Sequence, residues 1–106
     1  MKLVNVTNSH SRLVMNQLEN TDAEMVKVYS AGNTTVVYTS ALMHDEILIV
    51  NKKRNLKSSE IEEIKSHFIK KLTADSYRLD EIKTVEMDGT IEISIPKVNQ
   101  RNGVAI

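Results

Sequence analysis

The chain has 106 residues, 41% of them hydrophobic and 26% charged, which suits one domain with a real core and excludes both two ordinary domains and a disordered chain. Fourteen basic residues balance fourteen acidic ones, so no net charge draws the protein to nucleic acid or to a membrane surface. Cysteine is absent, which excludes disulfides, thiol catalysis and Cys-based zinc sites.

The opening "MKLVNVTN" breaks its apolar pattern at Asn5 and has no signal-peptide core. Leu3, Val4 and Val6 predict a short strand over residues 2–7. Val14 and Leu18, four apart with Met15 beside them, predict a helix over residues 12–19. Ser9 or Asn8 is the expected N-cap, its side-chain oxygen accepting a first-turn N–H, and "ENTD" ends the helix. "EMVKVYS" and "TTVVYTS" alternate and are rich in β-formers, so they predict a hairpin turning at "AGN".

"ILIV", residues 47–50, is the longest purely apolar run. It falls far short of the roughly 20 residues of a membrane helix and predicts a central strand buried on both faces. The basic loop "KKRNLK", residues 52–57, leads to the clearest helix. Ser59 and Glu62 have capping-box spacing, and Ile61, Ile64, Phe68 and Leu72 share one face. Residues 74–82 fit a helical turn or a loop. "TVEM", "DGT" and "IEISI" then predict a second hairpin. Aligning its apolar faces favours a three-residue loop, Asp88 to Thr90, with Met87 opposite Ile91. Pro96 ends the strand.

The fold class that follows is α+β: a two-layer sandwich with two helices on one face of a mixed five- or six-stranded sheet, in the order βαββ-βαββ. Residues 1–96 form the single domain and residues 97–106 a loose tail. The helix-free sheet face is open to a second copy, with Met25, Tyr29, Val37 and parts of "IEISI" as its apolar surface, so a homodimer is the expected partnership.

Three constellations carry possible chemistry. Ser9 and Ser11 flank His10, but sequence neighbours rarely point at each other, and no glycine is near to build an oxyanion hole. His44 and Asp45 suggest a metal-dependent hydrolase, yet the chain has three histidines in all, too few for the ligand sets such enzymes use. The sharpest candidate is an anion site. Arg12 stands in the first turn of its helix, where the dipole disfavours a cation. With the first strand and "ILIV" parallel, Ser9, Ser11 and Arg12 would lie beside Lys52, Lys53, Arg54 and Ser59, both loops opening helices. The plainer account makes Ser9 a cap, Arg12 a solvated charge and "KKR" a solubilising loop. The four aromatic residues, Tyr29, Tyr38, Phe68 and Tyr77, form no stacking platform, so RNA is not an expected partner.

"MKLVNVTNSHSRLV" together with "VYSAGNTTVVY" resembles a family of small uncharacterised single-domain proteins from lactic-acid-type Gram-positive bacteria. The resemblance implies a bacterial, stand-alone cytoplasmic domain and transfers no functional residue. The expected function is therefore non-enzymatic action through protein–protein contacts in the cytoplasm, without metal or cofactor. Binding of a small anion, phosphate or nucleotide is the alternative, and a hydrolase around His44 and Asp45 comes third.

Overall fold

The computed structural model describes residues 1–98. A two-residue strand β1 (Val4–Asn5) passes through a 3₁₀ turn (Thr7–His10) into helix α1 (Ser11–Asn20). Strands β2 (Ala23–Ala31), β3 (Thr34–Ala41) and β4 (His44–Asn51) follow, then helix α2 (Ser58–Ile69). A second 3₁₀ turn (Leu79–Glu81) leads to β5 (Lys83–Met87) and β6 (Thr90–Pro96). The βαββ-βαββ order is the expected one, and the ambiguous residues 74–82 are turns.

The six strands form one sheet in the order β1-β2-β3-β4-β6-β5. Every pairing is antiparallel, which corrects the expected mixed sheet. The α1 connection returns the chain antiparallel beside β1, whereas the α2 connection carries β5 parallel to β4 and β6 inserts between them. "ILIV" is central as expected, but it alternates: Asp45, Ile47 and Ile49 are buried while Glu46, Leu48 and Val50 are only partly so.

Cross-strand partners share a face. Tyr29, Val36, Ile49 and Ile91 form one row on the near face, and Tyr38, Ile47 and Ile93 the next. α2 packs on this face, burying Ile61, Ile64 and Phe68 against the strand residues, with Leu72 half-buried at the margin. Each such side chain contributes about 1.5–3 kcal/mol. The capping box lies two residues before the expected one: Lys57 is the N-cap, and its N–H donates to Glu60 Oε1 at 2.9 Å. Ser59 and Glu62 are therefore not the capping pair.

On the far face the rows are Val28, Val37, Leu48, Glu92 and Val85, then Ser30, Thr35, Val50, Thr90 and Met87. Val26, Val28 and Val37 are buried although their register turns them away from α2. α1 flanks β2 and turns Leu13, Val14 and Leu18 inward, so it shields this corner. The two helices thus serve different faces rather than one.

Turn chemistry fixes both hairpins. Ala31 pairs with Thr34 around Gly32-Asn33, with Gly32 at φ +61°. Met87 pairs with Thr90 around Asp88-Gly89, with φ +44° and +79°. Two positive φ values define a type I′ turn, the two-residue loop that Asp-Gly favours. The three-residue loop is thereby corrected: Glu86, not Met87, stands opposite Ile91. Aligning apolar faces misleads here because β5 is an exposed edge strand along its whole length.

The expected loose tail begins with two residues that are tied down. Lys97 N–H donates to Met43 O and Val98 N–H to Ser76 O, both at 2.9 Å. Residues 99–106 of that tail lie outside the described residues.

Candidate functional site

The two loops expected to share an anion do not meet. β1 is antiparallel to β2, β2 to β3 and β3 to β4, so β1 and β4 run in opposite senses with two strands between them. Residues 8–12 and 52–57 therefore leave opposite ends of the sheet. It is the beginning of β1 that approaches α2, where the Met1 amino group contacts Glu63.

Each half has its own local account. Ser9 sits in the 3₁₀ turn, and no side-chain oxygen caps α1, whose N-cap position is His10. His10 Nδ1 donates to Val6 O at 3.0 Å. Ser11 and Arg12 are exposed in the first turn of α1. In the second loop, Asn51 Oδ1 accepts the N–H groups of Lys53 and Arg54 at 2.9 and 3.0 Å, an Asx-type turn. Arg54 grips Glu60 through two parallel bonds, Nη1 to Oε1 at 2.8 Å and Nη2 to Oε2 at 2.7 Å. The guanidinium and the Lys57 N–H hold the Glu60 carboxyl well below its usual range, at about 2. Arg54 is thus a helix-start clamp. Lys52, Lys53 and Ser59 are exposed.

The densest polar cluster is elsewhere, around Asp45. Its side chain is almost wholly buried at the start of β4, on the near face in line with Ile47 and Ile49. Tyr38 Oη donates to Asp45 Oδ2, and Tyr77 Oη donates to the same oxygen at 2.8 Å. Ser40 Oγ donates to Oδ1 at 2.7 Å. Lys97 Nζ lies 3.4 Å from Oδ1 and donates to Ser40 Oγ at 3.1 Å and Ala41 O at 2.6 Å. Burial first, and then the hydrogen bond to Asp45, raise both phenols: Tyr38 well above its ordinary value and Tyr77 to about 12.

Ser40 and Lys97 have the contact distance of a nucleophile and its base, but the protons run the wrong way for that chemistry. The serine hydroxyl points its proton at the carboxylate, and Lys97 donates to Ser40 Oγ and Ala41 O rather than accepting from the serine. The cluster binds β3, β4 and the segment around residues 77–97 together. Among the described residues no buried side-chain polar atom lacks a partner. His44 beside it is exposed, opposite Pro96. Among the described residues no three His, Cys, Asp or Glu side chains gather as a metal site.

A family model described as a domain of unknown function, DUF1827, matches residues 1–96. The chain belongs to the DUF1827 family. The match agrees with the resemblance seen in the opening residues and the first hairpin. This DUF1827 domain is also similar to a solved structure, a conserved protein of unknown function from Streptococcus thermophilus, a lactic-acid bacterium. The two share 50% sequence identity and superpose with a TM-score of 0.88, over 93% of this chain and 99% of the other. No curated protein matches the sequence. Among the described residues of this DUF1827 domain, no helix is long and apolar enough to cross a membrane.

Sequence reasoning singled out Asp45 for the wrong reason and missed Tyr38, Ser40, Tyr77 and Lys97. One signal was available: an acid at the same strand parity as Ile47 and Ile49 must be buried and must find donors.

Proposed function

We propose that this DUF1827 domain works by protein–protein contact rather than catalysis, with a second copy of the chain as its partner. The observation that carries the reading is the far face across β4, β6 and β5. Among the described residues no helix covers it, and Val85 and Met87 stand 47% and 51% exposed beside half-buried Leu48 and Val50. Exposed apolar side chains gathered beside one another mark interaction sites more often than scattered ones do. The surface differs from the one expected in the sequence. Met25, Tyr29, Ile91, Ile93 and Ile95 belong to the near face under α2, and Val37 is buried. The reactive-looking side chains support the same reading, because the Asp45 cluster is satisfied internally. A cytoplasmic location fits a cysteine-free composition.

Sedimentation equilibrium over a concentration series tests the proposal. A mass rising from monomer to dimer, little changed by salt, supports it. A monomeric mass at every concentration ends it.

The second reading, binding of a small anion, now rests on the 52–57 loop alone, where Lys52 and Lys53 have no ion-pair partner among the described residues. Phosphate titration followed by amide NMR checks it. Shifts confined to residues 52–59 support it, and unchanged amides there end it.

A further inference from the structure

The two edges of the sheet are treated differently. β1 is two residues long and the rest of the β2 margin is flanked by α1. β5 is five residues long, exposed throughout, and free of proline and bulge. An edge of that length with no proline, bulge or covering element is a template for another strand, and its charges, Lys83 and Glu86, then select which strand can pair with it.

We propose that β5 pairs antiparallel with β5 of a second copy, Val85 opposite Val85, joining two six-stranded sheets into one. The proposal rests on the self-association reading above and says which backbone makes the joint.

The hairpin geometry fixes which groups are available. In a two-residue hairpin the closing pair, Met87 and Thr90, exchanges both backbone bonds, and bonded pairs alternate from there. Lys83, Val85 and Met87 therefore direct their N–H and C=O groups to β6, and Thr84 and Glu86 direct theirs outward. An antiparallel ladder needs outward groups opposite outward groups. With Val85 on the two-fold axis, Thr84 of each copy meets Glu86 of the other, giving four backbone bonds. Shifting the register two residues one way sets Glu86 against Glu86. Shifting it the other way carries Glu86 past the end of the strand onto Ile82.

Side chains agree with that register. Lys83, Glu86 and Asp88 are exposed and have no ion pair among the described residues. Glu81, by contrast, is held by Arg78 at 3.2 Å. β5 is thus basic at its start and acidic at its end, so antiparallel pairing sets Lys83 beside Met87 and Asp88 of the second copy. Parallel pairing would oppose like charges. On the far face Val85 meets Val85, and Met87 lies along the aliphatic stem of Lys83.

The test uses the full chain in sedimentation equilibrium and in hydrogen exchange at several concentrations. The expected result is a dimer in which the Thr84 and Glu86 amides gain protection as concentration rises, while the Val85 amide is protected throughout. Lys83→Glu should raise the dimer Kd about tenfold or more, and Thr84→Pro should abolish pairing. Should Thr84→Pro fail to fold by circular dichroism, Val85→Glu takes its place. A dimer indifferent to Lys83→Glu and Val85→Glu, with Thr84 and Glu86 exchanging freely, overturns this joint and leaves self-association through another surface. A monomer at every concentration overturns both.

Discussion

Asp45 shows how a buried charge is kept in a small domain. Three hydroxyl donors and the Lys97 ammonium, from three separate stretches of chain, converge on one carboxylate, so removing it leaves two phenols and a hydroxyl without this acceptor and Lys97 without its counter-charge. Asp45→Ala is expected to cost about 3–5 kcal/mol in urea unfolding, the usual penalty for removing one partner of a buried ion pair. The phenols give a second, pH-based readout. Tyr29, Tyr38 and Tyr77 all have raised pKa values, burial being the leading cause in each. The unfolded chain loses these protons near pH 10, whereas the folded protein retains them. The stabilisation is therefore complete below pH 10 and is lost as pH rises through 12 and beyond. Ultraviolet titration at pH 10 should show about half of the phenols ionised in urea and clearly less phenolate in the native state. At the acid end Glu60 has the opposite sign: its contribution is present above the normal carboxylate range and is lost as pH falls towards 2.

At the scale of elements, legibility followed the strength of the local pattern. α2 could be read because Ile61, Ile64, Phe68 and Leu72 keep one helical face, and the same side chains fill the core. Ile64→Ala should cost about 2–5 kcal/mol by urea titration, since it leaves a void at the centre of that contact. Both hairpins were legible as hairpins, but the register of the second was not. Apolar matching assumed that β5 is half-buried, while Asp88-Gly89 dictates a two-residue turn whatever the flanking faces. Gly89→Ala places a Cβ at φ +79° and should cost about 1–2 kcal/mol in the same assay. The Asp45 cluster was not legible because Tyr77 is thirty-two residues from the carboxylate it serves. No local pattern encodes a contact at that distance. Likewise, the two-loop anion site failed on a topological point: the sense in which β4 runs is set by strand order, and "ILIV" reads the same in either direction.

The whole molecule differs between its two sides. The near face is closed, with isoleucines under α2 and, among the described residues, every buried side-chain polar atom partnered. The far face across β4, β6 and β5 and the β5 edge are open, and the proposed association uses them. Strand order adds a consequence for how the protein is made. β6 comes last in the sequence yet lies between β4 and β5, and its isoleucines complete the core. A chain emerging from the ribosome would hold β2, β3 and β4 with Ile47 and Ile49 bare on one side, and with Asp45 awaiting Tyr77 and Lys97. Cooperative folding must wait until β6 has left the exit tunnel. A ribosome-bound chain ending at Gly89 should therefore be cut quickly by protease, and one carrying residue 98 clear of the tunnel should resist. The central strand β4 is thus the part that most needs shelter until β6 has joined the sheet.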